Sequence, residues 1–256
     1  MDGTFIPLSG NDQNRRDLVT LGDALDRHGV ELMYVTGRHY QLVMKAIREE
    51  GLPSPPWMIC DVGASIYHVN AQGQHCIVED YRMHLQELVG DHDRNGVLES
   101  LKQIDAVRLQ ESEKQTSFKI SFYCDADTIG AIADQVRHCI GDAPWNLISS
   151  VDPFTGNGLI DLLPRDVSKA YALKWWAAFT GTPPSSIVFS GDSGNDLAAL
   201  TAGYRAVVVG NAHRAVADAA TKAHRLAGWT DRLVIAQSHA TSGVLEGFQH
   251  FAGQQA

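Results

Sequence analysis

Ser190-Gly191-Asp192-Ser193-Gly194-Asn195-Asp196 sets two carboxylates four residues apart in a glycine-bearing turn. The apolar run Ile187-Val188-Phe189 leads into it, and a helical pattern from Leu197 to Ala202 leads out. Strand, turn and helix start is how an open α/β sheet presents charge at the carboxyl ends of its strands, where ligands bind. Two aspartates so placed suit a hard cation that takes oxygen ligands. Taken alone, the same residues read equally well as a polar turn with an Asp or Asn capping a helix.

Three further stretches bear on that choice. Asp2-Gly3-Thr4 opens the chain, Thr36-Gly37-Arg38 follows the predicted strand Val30 to Val35, and Lys169 falls in the first turn of a predicted helix. A cation there opposes the helix dipole, which favours negative charge at that end, and the unfavourable placement points to a role. Singly, Lys169 is a surface lysine and Thr36 a helix cap.

The elements that must position these residues alternate. A helix from about Arg15 to His28, the strand to Val35, a helix from Tyr40 to Glu50 and a strand Trp57-Met58-Ile59-Cys60 turning at Asp61-Val62-Gly63 predict a parallel sheet. The order then changes between about Asp80 and Leu163. Helix (96–104), strand (107–111), strand (118–124), helix (128–140) and two strands (145–151, 159–163) read as an inserted α+β module. After Pro164 the alternation returns: a helix from Ser168 to Thr180, the Ile187 strand, a strand from Ala206 to Val209 and a helix from about Ala212 to Ala223. The expected fold class is α/β, a Rossmann-like parallel sheet core over residues 1–80 and 164–256 with an α+β cap over 81–163.

Composition narrows the function. A chain of 256 residues, 44% hydrophobic, can bury a sizeable core. Its net charge of −9 without a long basic run argues against nucleic acid or an anionic membrane as partner. No apolar run is long enough to span a bilayer and no signal peptide is evident, so a cytoplasmic location is expected. Cys60, Cys76, Cys124 and Cys139 form no CxxC pair and read as buried, reduced thiols.

In their order, the four chemistry-bearing stretches resemble the phosphohydrolases of the haloacid dehalogenase superfamily, in the branch with a large α+β cap between the second and third motifs. Asp2-Gly3-Thr4 matches the end of that family's DxDGT, Thr36-Gly37-Arg38 its second motif, Lys169 its third and GDSGND its fourth. Within the branch the chain is similar to sucrose-phosphate and mannosylfructose-phosphate phosphatases. Phe118 to Tyr123 resembles their HKVSFY stretch, Asp161-Leu162-Leu163-Pro164 their DILP, and Gly243 to Phe251 their C-terminal helix. Arg165-Asp166-Val167-Ser168 departs from the family's glycine-rich lead-in to the lysine, and Ala64-Ser65 from its threonine and acidic residue.

The resemblance implies a Mg²⁺-dependent hydrolysis of a small-molecule sugar phosphate, such as sucrose 6-phosphate, through an aspartyl-phosphate. It implies catalytic roles for Asp2 as acid/base, for Lys169 and for Asn195. It assigns phosphate to Thr36, Gly37, Arg38 and Lys169, and the metal to Asp2, Asp192 and Asp196. It gives Ser117 and Lys119 of the cap to the sugar, against a solvated strand lysine as the plainer reading of Lys119. A glycosyltransferase that makes the sugar phosphate is an expected partner. In the DxDGT register Met1 takes the middle position, so the family's nucleophile falls one residue before Met1, and its central core strand falls before that. The chain as given is therefore expected to be inactive and poorly folded. A less selective sugar-phosphate phosphatase and a non-catalytic sugar-phosphate-binding protein remain as alternatives.

Overall fold

The computed structural model describes residues 1–151 and 155–253. Contacts divide the chain into two compact units, one of Met1–Gly63, Tyr67–Cys76 and Ser168 onward, the other of Ala64–Ile66 and Ile77–Val167.

The first unit begins with a turn rather than a strand: the Met1 carbonyl accepts from the N–H groups of Thr4, Phe5 and Ile6 at 3.2, 2.8 and 3.0 Å. Helix α1 (Asp12–His28) starts where the Asn11 side chain accepts from the Asn14 N–H at 3.0 Å, satisfying a donor the first turn leaves open. Strands β1 (Met33–Val35) and β2 (Trp57–Cys60) pair in parallel, joined through α2 (Tyr40–Glu50), with Met33 opposite Trp57 and Val35 opposite Ile59. Strands β3 (Ser65–Val69) and β4 (His75–Ile77) extend this sheet in the order β1-β2-β3-β4.

The second unit starts with α3 (Glu79–Val89) and α4 (Arg94–Leu101). Strands β5 (Arg108–Leu109), β6 (Ile120–Cys124), β7 (Trp145–Val151) and β8 (Gly158–Pro164) form an antiparallel sheet in the order β5-β6-β8-β7. Helix α5 (Ile129–Ile140) packs on β7 and β8 through a stripe that buries Ile132, Ala133 and Val136.

The chain returns to the first unit with α6 (Lys169–Thr180), β9 (Val188–Gly191), α7 (Leu197–Leu200), β10 (Arg205–Val208), α8 (Arg214–Ala227), β11 (Leu233–Ile235) and α9 (Ala240–Gly253). The second parallel sheet runs β11-β10-β9. Strands β1 and β9 are edges of their respective sheets, and both line a cavity of about 640 Å³ together with Met1, Phe5, Phe248 and Phe251. Among the described residues no helix is long and apolar enough to cross a membrane.

The structure corrects several sequence expectations. The hairpin at 65–77, helix α3 and strand β11 were not anticipated. β4 has one half-buried and two exposed residues, so it carries no apolar alternation. α3 did carry a signal, since Tyr81, Leu85 and Val89 recur four apart and are buried. The strand expected over 107–111 shrinks to two exposed residues. The cysteines are free, yet only Cys60 is buried, and Cys76 is exposed.

One buried polar side chain ties the return segment together. His224 on α8 is 1% exposed, with Nε2 at 2.7 Å from the Leu200 carbonyl, where α7 ends, and Nδ1 at 3.1 Å from the Trp229 carbonyl. His224→Leu keeps a side chain of similar size but removes the ring nitrogen beside the Leu200 carbonyl, while the Trp229 carbonyl still accepts from the Arg232 N–H at 2.9 Å. A loss of about 1–3 kcal/mol is expected for such a change, and chemical denaturation that finds the variant as stable as the parent would remove this role.

Candidate active site

Four segments of the first unit bring the predicted residues together. At the end of β1, Thr36 is 2% exposed and its hydroxyl accepts from the Arg38 N–H at 3.1 Å, so its own proton can serve an acceptor in the site. Gly37 is exposed beside it. Arg38 reaches across to the N-terminal turn, with Nε donating to Asp2 Oδ2 at 2.7 Å and Nη2 to Asp2 Oδ1. Partial loss of water works upward on the Asp2 carboxyl, but the Arg38 hydrogen bonds and charge outweigh it and hold the group below the usual carboxylate range.

Gly3 and Thr4 meet the fourth motif at the end of β9. The Thr4 hydroxyl donates to Asp192 Oδ1. Gly3 lies at φ 65°, and a Cβ there would stand 2.5 Å from Asp192 Oδ2, so only glycine lets the two segments approach this closely. Burial pushes the Asp192 carboxyl up and neighbouring Asp196 adds to the effect, against the Thr4 hydrogen bond.

Asp196 is turned the other way. Its Oδ1 accepts from Lys169 Nζ at 2.7 Å. Its Oδ2 accepts from the backbone N–H groups of Asp192 and Ser193 at 3.2 and 3.1 Å and from the Ser193 hydroxyl at 2.9 Å. Lys169 stands on the first turn of α6, whose start is capped by the Ser168 hydroxyl accepting from the Tyr171 N–H at 3.2 Å. Asn195 is exposed on the loop. The Met1 amine is buried against the same group of charges, pushed below its usual value by burial and by Lys169.

Among the described residues no group of three or more His, Cys, Asp or Glu side chains is arranged to hold a metal. Asp2 is engaged by Arg38 and Asp196 by Lys169 and Ser193, which leaves Asp192 as the carboxylate with a part-open oxygen in this cluster. A magnesium ion is commonly bound by one or two carboxylates, with waters and substrate phosphate completing the shell, so the donor set fits that ion as part of a site.

Ser117 and Lys119 lie in the second unit. Ser117 is exposed at the tip of a tight turn closed by the Thr116 N–H on the Lys119 carbonyl at 2.9 Å. Lys119 is only 7% exposed, so it is not a solvated strand lysine, and its Nζ stands 3.8 Å from Asp161 Oδ1. Asp161 also accepts from the Ser121 hydroxyl at 2.5 Å. Sequence reasoning quoted Asp161 without giving it a role.

It also missed the side chains that hold the N-terminal turn. Asn211 Nδ2 donates to the Gly3 carbonyl at 2.7 Å while its Oδ1 accepts from the Ala240 N–H at 2.7 Å. The buried Thr241 hydroxyl donates to the Phe5 carbonyl at 2.7 Å. The buried Asn14 side chain accepts from the Leu8 N–H at 3.1 Å and donates to the His239 carbonyl at 3.0 Å.

Residues 1–252 match the family described as sucrose-6F-phosphate phosphohydrolase. The chain belongs to this family. A haloacid dehalogenase-like hydrolase of Nitrosococcus oceani is 32% identical to it, over 98% of this chain and 70% of the relative. The mannosylfructose-phosphate phosphatase of Agrobacterium fabrum is 26% identical, over 98% of this chain and 94% of the relative. The sucrose-phosphatase of Synechocystis, solved in complex with sucrose and phosphate, matches with a TM-score of 0.71 and 26% identity, over 98% of this chain and 95% of that one. The chain thus has the fold of a haloacid dehalogenase-type phosphatase, a parallel α/β core with a cap, and its family is one of sugar-phosphate phosphatases.

Two consequences of this family member's site are measurable. Burial alone would raise the Asp196 carboxyl, yet the charge and hydrogen bond of Lys169, followed by Ser193, bring it below its ordinary value. The sign is that of a depressed acid: its contribution to stability is complete above the ordinary Asp range and disappears as pH falls through the lowered folded value. Lys169→Met leaves a buried carboxylate without its cation and costs about 3–5 kcal/mol. Its acid-unfolding midpoint is expected at a higher pH than the parent's, and an unchanged midpoint would show that Lys169 does not depress Asp196.

Asp192 has the opposite character, a carboxylate held where burial and a like charge disfavour it. In metal-free buffer Asp192→Asn is expected to melt about 2–4 °C higher, roughly 1 kcal/mol for a chain of this size. Adding Mg²⁺ should raise the melting temperature of the parent and leave the variant unmoved. Equal Mg²⁺ shifts in both would remove Asp192 from the ligand set.

Proposed function

We propose that this protein is a Mg²⁺-dependent phosphatase of a sugar phosphate, most specifically a disaccharide phosphate such as sucrose 6-phosphate. The observation that carries the reading is the pairing of opposed charges and donors drawn from four separate segments: Arg38, two residues after Thr36, with Asp2, Thr4 with Asp192, and Lys169 with Asp196. The family match and the sucrose named in the Synechocystis complex support the substrate class.

Thr36, Arg38 and Lys169 receive the phosphoryl oxygens, with the Gly37 N–H beside them, and their cations offset its charge. Phosphate drawing on Arg38 loosens its hold on Asp2, whose proton affinity then rises. A carboxylate attacks phosphorus and the P–O bond to the sugar breaks, giving an acyl phosphate. Asp2 gives a proton to the leaving sugar oxygen and then takes one from the water that cleaves the acyl phosphate. Magnesium, when bound, neutralises phosphoryl charge; Asp192 and the Asp2 carbonyl would hold it, with Asp196 and Asn195 behind them. In the register of the family's first motif the attacking carboxylate belongs two positions ahead of Asp2. In the second unit, Ser117 and the Lys119–Asp161 pair are the proposed reading surface for the sugar. The setting is cytoplasmic, and a glycosyltransferase supplies the substrate.

A second reading, a sugar-phosphate-binding protein without turnover, rests on the same gathering of phosphate donors. One experiment separates them: Mg²⁺-dependent phosphate release from sucrose 6-phosphate and glucose 6-phosphate, by this chain and by one extended upstream through an apolar segment ending in Asp. The extended form is expected to exceed the 256-residue form by about 10⁴-fold or more and to prefer the disaccharide. Equal turnover of both sugars would sink the disaccharide assignment, tight binding without release by the extended form would favour the second reading, and equal activity of the two chains would place the nucleophile within residues 1–256.

A further inference from the structure

Asp61, Val62 and Gly63 follow β2 with φ angles of 54°, 60° and 107°, three consecutive residues in the left-handed half of backbone space. All three are buried. A β-branched residue is a genuine outlier there, and such strain persists only where the surrounding structure dictates it. A turn needed only to reverse the chain could have used Gly or Asn at position 62 with less strain.

The surroundings show what the conformation accomplishes. The Asp61 N–H donates to the Arg38 carbonyl at 3.0 Å and the Val62 N–H to the Thr36 carbonyl at 3.1 Å, so the turn is bonded to both ends of Thr36-Gly37-Arg38. The Val62 Cγ2 methyl lies 3.7 Å from where a Cβ on Gly37 would be, in contact beneath that residue. On its other side, Gly63 is pressed against the peptide ahead of Lys169: a Cβ on it would fall 2.3 Å from the Ser168 carbonyl oxygen and 3.2 Å from the Lys169 nitrogen.

We propose that Asp61-Val62-Gly63 is a positioning turn that sets the spacing between the two phosphate-facing groups, Thr36-Gly37-Arg38 on one side and Lys169 on the other, with the Val62 side chain as its gauge. This rests on the phosphate reading of the site given above. None of the three residues touches the phosphate; they act through residues that do. Displacement of such a group by a fraction of an ångström weakens every contact made by the oxygens held between the two sides.

The test is inorganic phosphate binding by calorimetry, in Mg²⁺ buffer, to the 256-residue chain and its variants, with melting followed in parallel. Val62→Gly relieves the backbone and removes the methyls beneath Gly37. It is expected to bind phosphate roughly tenfold more weakly with a melting temperature within a few degrees of the parent. Val62→Ile keeps the branched side chain and should bind within about twofold of the parent. If Val62→Gly does not fold, Val62→Asn, a residue tolerant of positive φ, carries the measurement with the same expected loss. A purely structural turn predicts the reverse pattern: altered melting with unaltered affinity. Parent-like phosphate affinity in the folded Gly or Asn variant overturns the proposal while leaving the phosphate reading intact. Failure of the parent itself to bind phosphate overturns the reading and the proposal together.

Discussion

The constraint on which the site depends is charge. Asp2, Asp192 and Asp196 gather at one cluster of loops, where like charges in reduced dielectric would drive the segments apart. Each is answered by a different donor: Arg38 for Asp2, the Thr4 hydroxyl for Asp192 and Lys169 for Asp196. The three answers differ in strength because burial differs. Lys169 and Asp196 are 6% and 4% exposed and directly hydrogen-bonded, so their pair is held in place. Asp2 has a side chain 62% exposed, so its pair with Arg38 is screened and easily exchanged. Asp192 is bonded by the Thr4 hydroxyl and feels the Lys169 charge without pairing with it. The three carboxylates of the cluster therefore differ: one is fixed by a buried cation, one shares an exposed and exchangeable ion pair, and one is held by a hydroxyl.

Backbone geometry delivers these groups. Thr36 and Asp192 each emerge at the carboxyl end of a short parallel strand, β1 and β9, and Lys169 emerges at the start of α6. None of these strands exceeds four residues, so strand pairing alone is thin support for positions that must hold to a fraction of an ångström. The missing rigidity comes from backbone-to-loop bonds: the Thr36 N–H to the Ile59 carbonyl at 2.9 Å, the turn at Asp61-Val62-Gly63, and the Asp196 carboxylate folded onto two N–H groups of its own loop.

This distribution explains what was legible in the sequence. Asp192, Asp196, Thr36, Arg38 and Lys169 could be found because each sits beside a local signal, an apolar run before a glycine turn or a capped helix. The helices over 40–50 and 169–180 and the strands over 57–60 and 145–151 carried clear periodicity, and so did the parallel core with an inserted module. The partners of the N-terminal turn were not readable. Asn14, Asn211 and Thr241 look like ordinary helix or loop residues, and the groups they bind lie 225, 208 and 236 positions away. Asp161 stood in a recognised stretch without a role for the same reason, since its partners are Lys119, just ahead of the neighbouring strand, and Ser121 on it. The strain at Val62 was equally hidden, because nothing in a valine announces a positive φ.

Those distant partners have a structural consequence. The turn from Met1 to Ile6 is closed by its own backbone bonds and fastened by Asn211 and Thr241, with Asn14 holding the Leu8 N–H just beyond it, all from helices or loops of the same unit. No strand pairing enters into that fastening. The positions of Asp2, Gly3 and Thr4 opposite Arg38 and Asp192 are therefore set by side-chain bonds to the turn's own carbonyls. Arg38 and Lys169 are held by other means, the turn at Asp61-Val62-Gly63 and the capped start of α6.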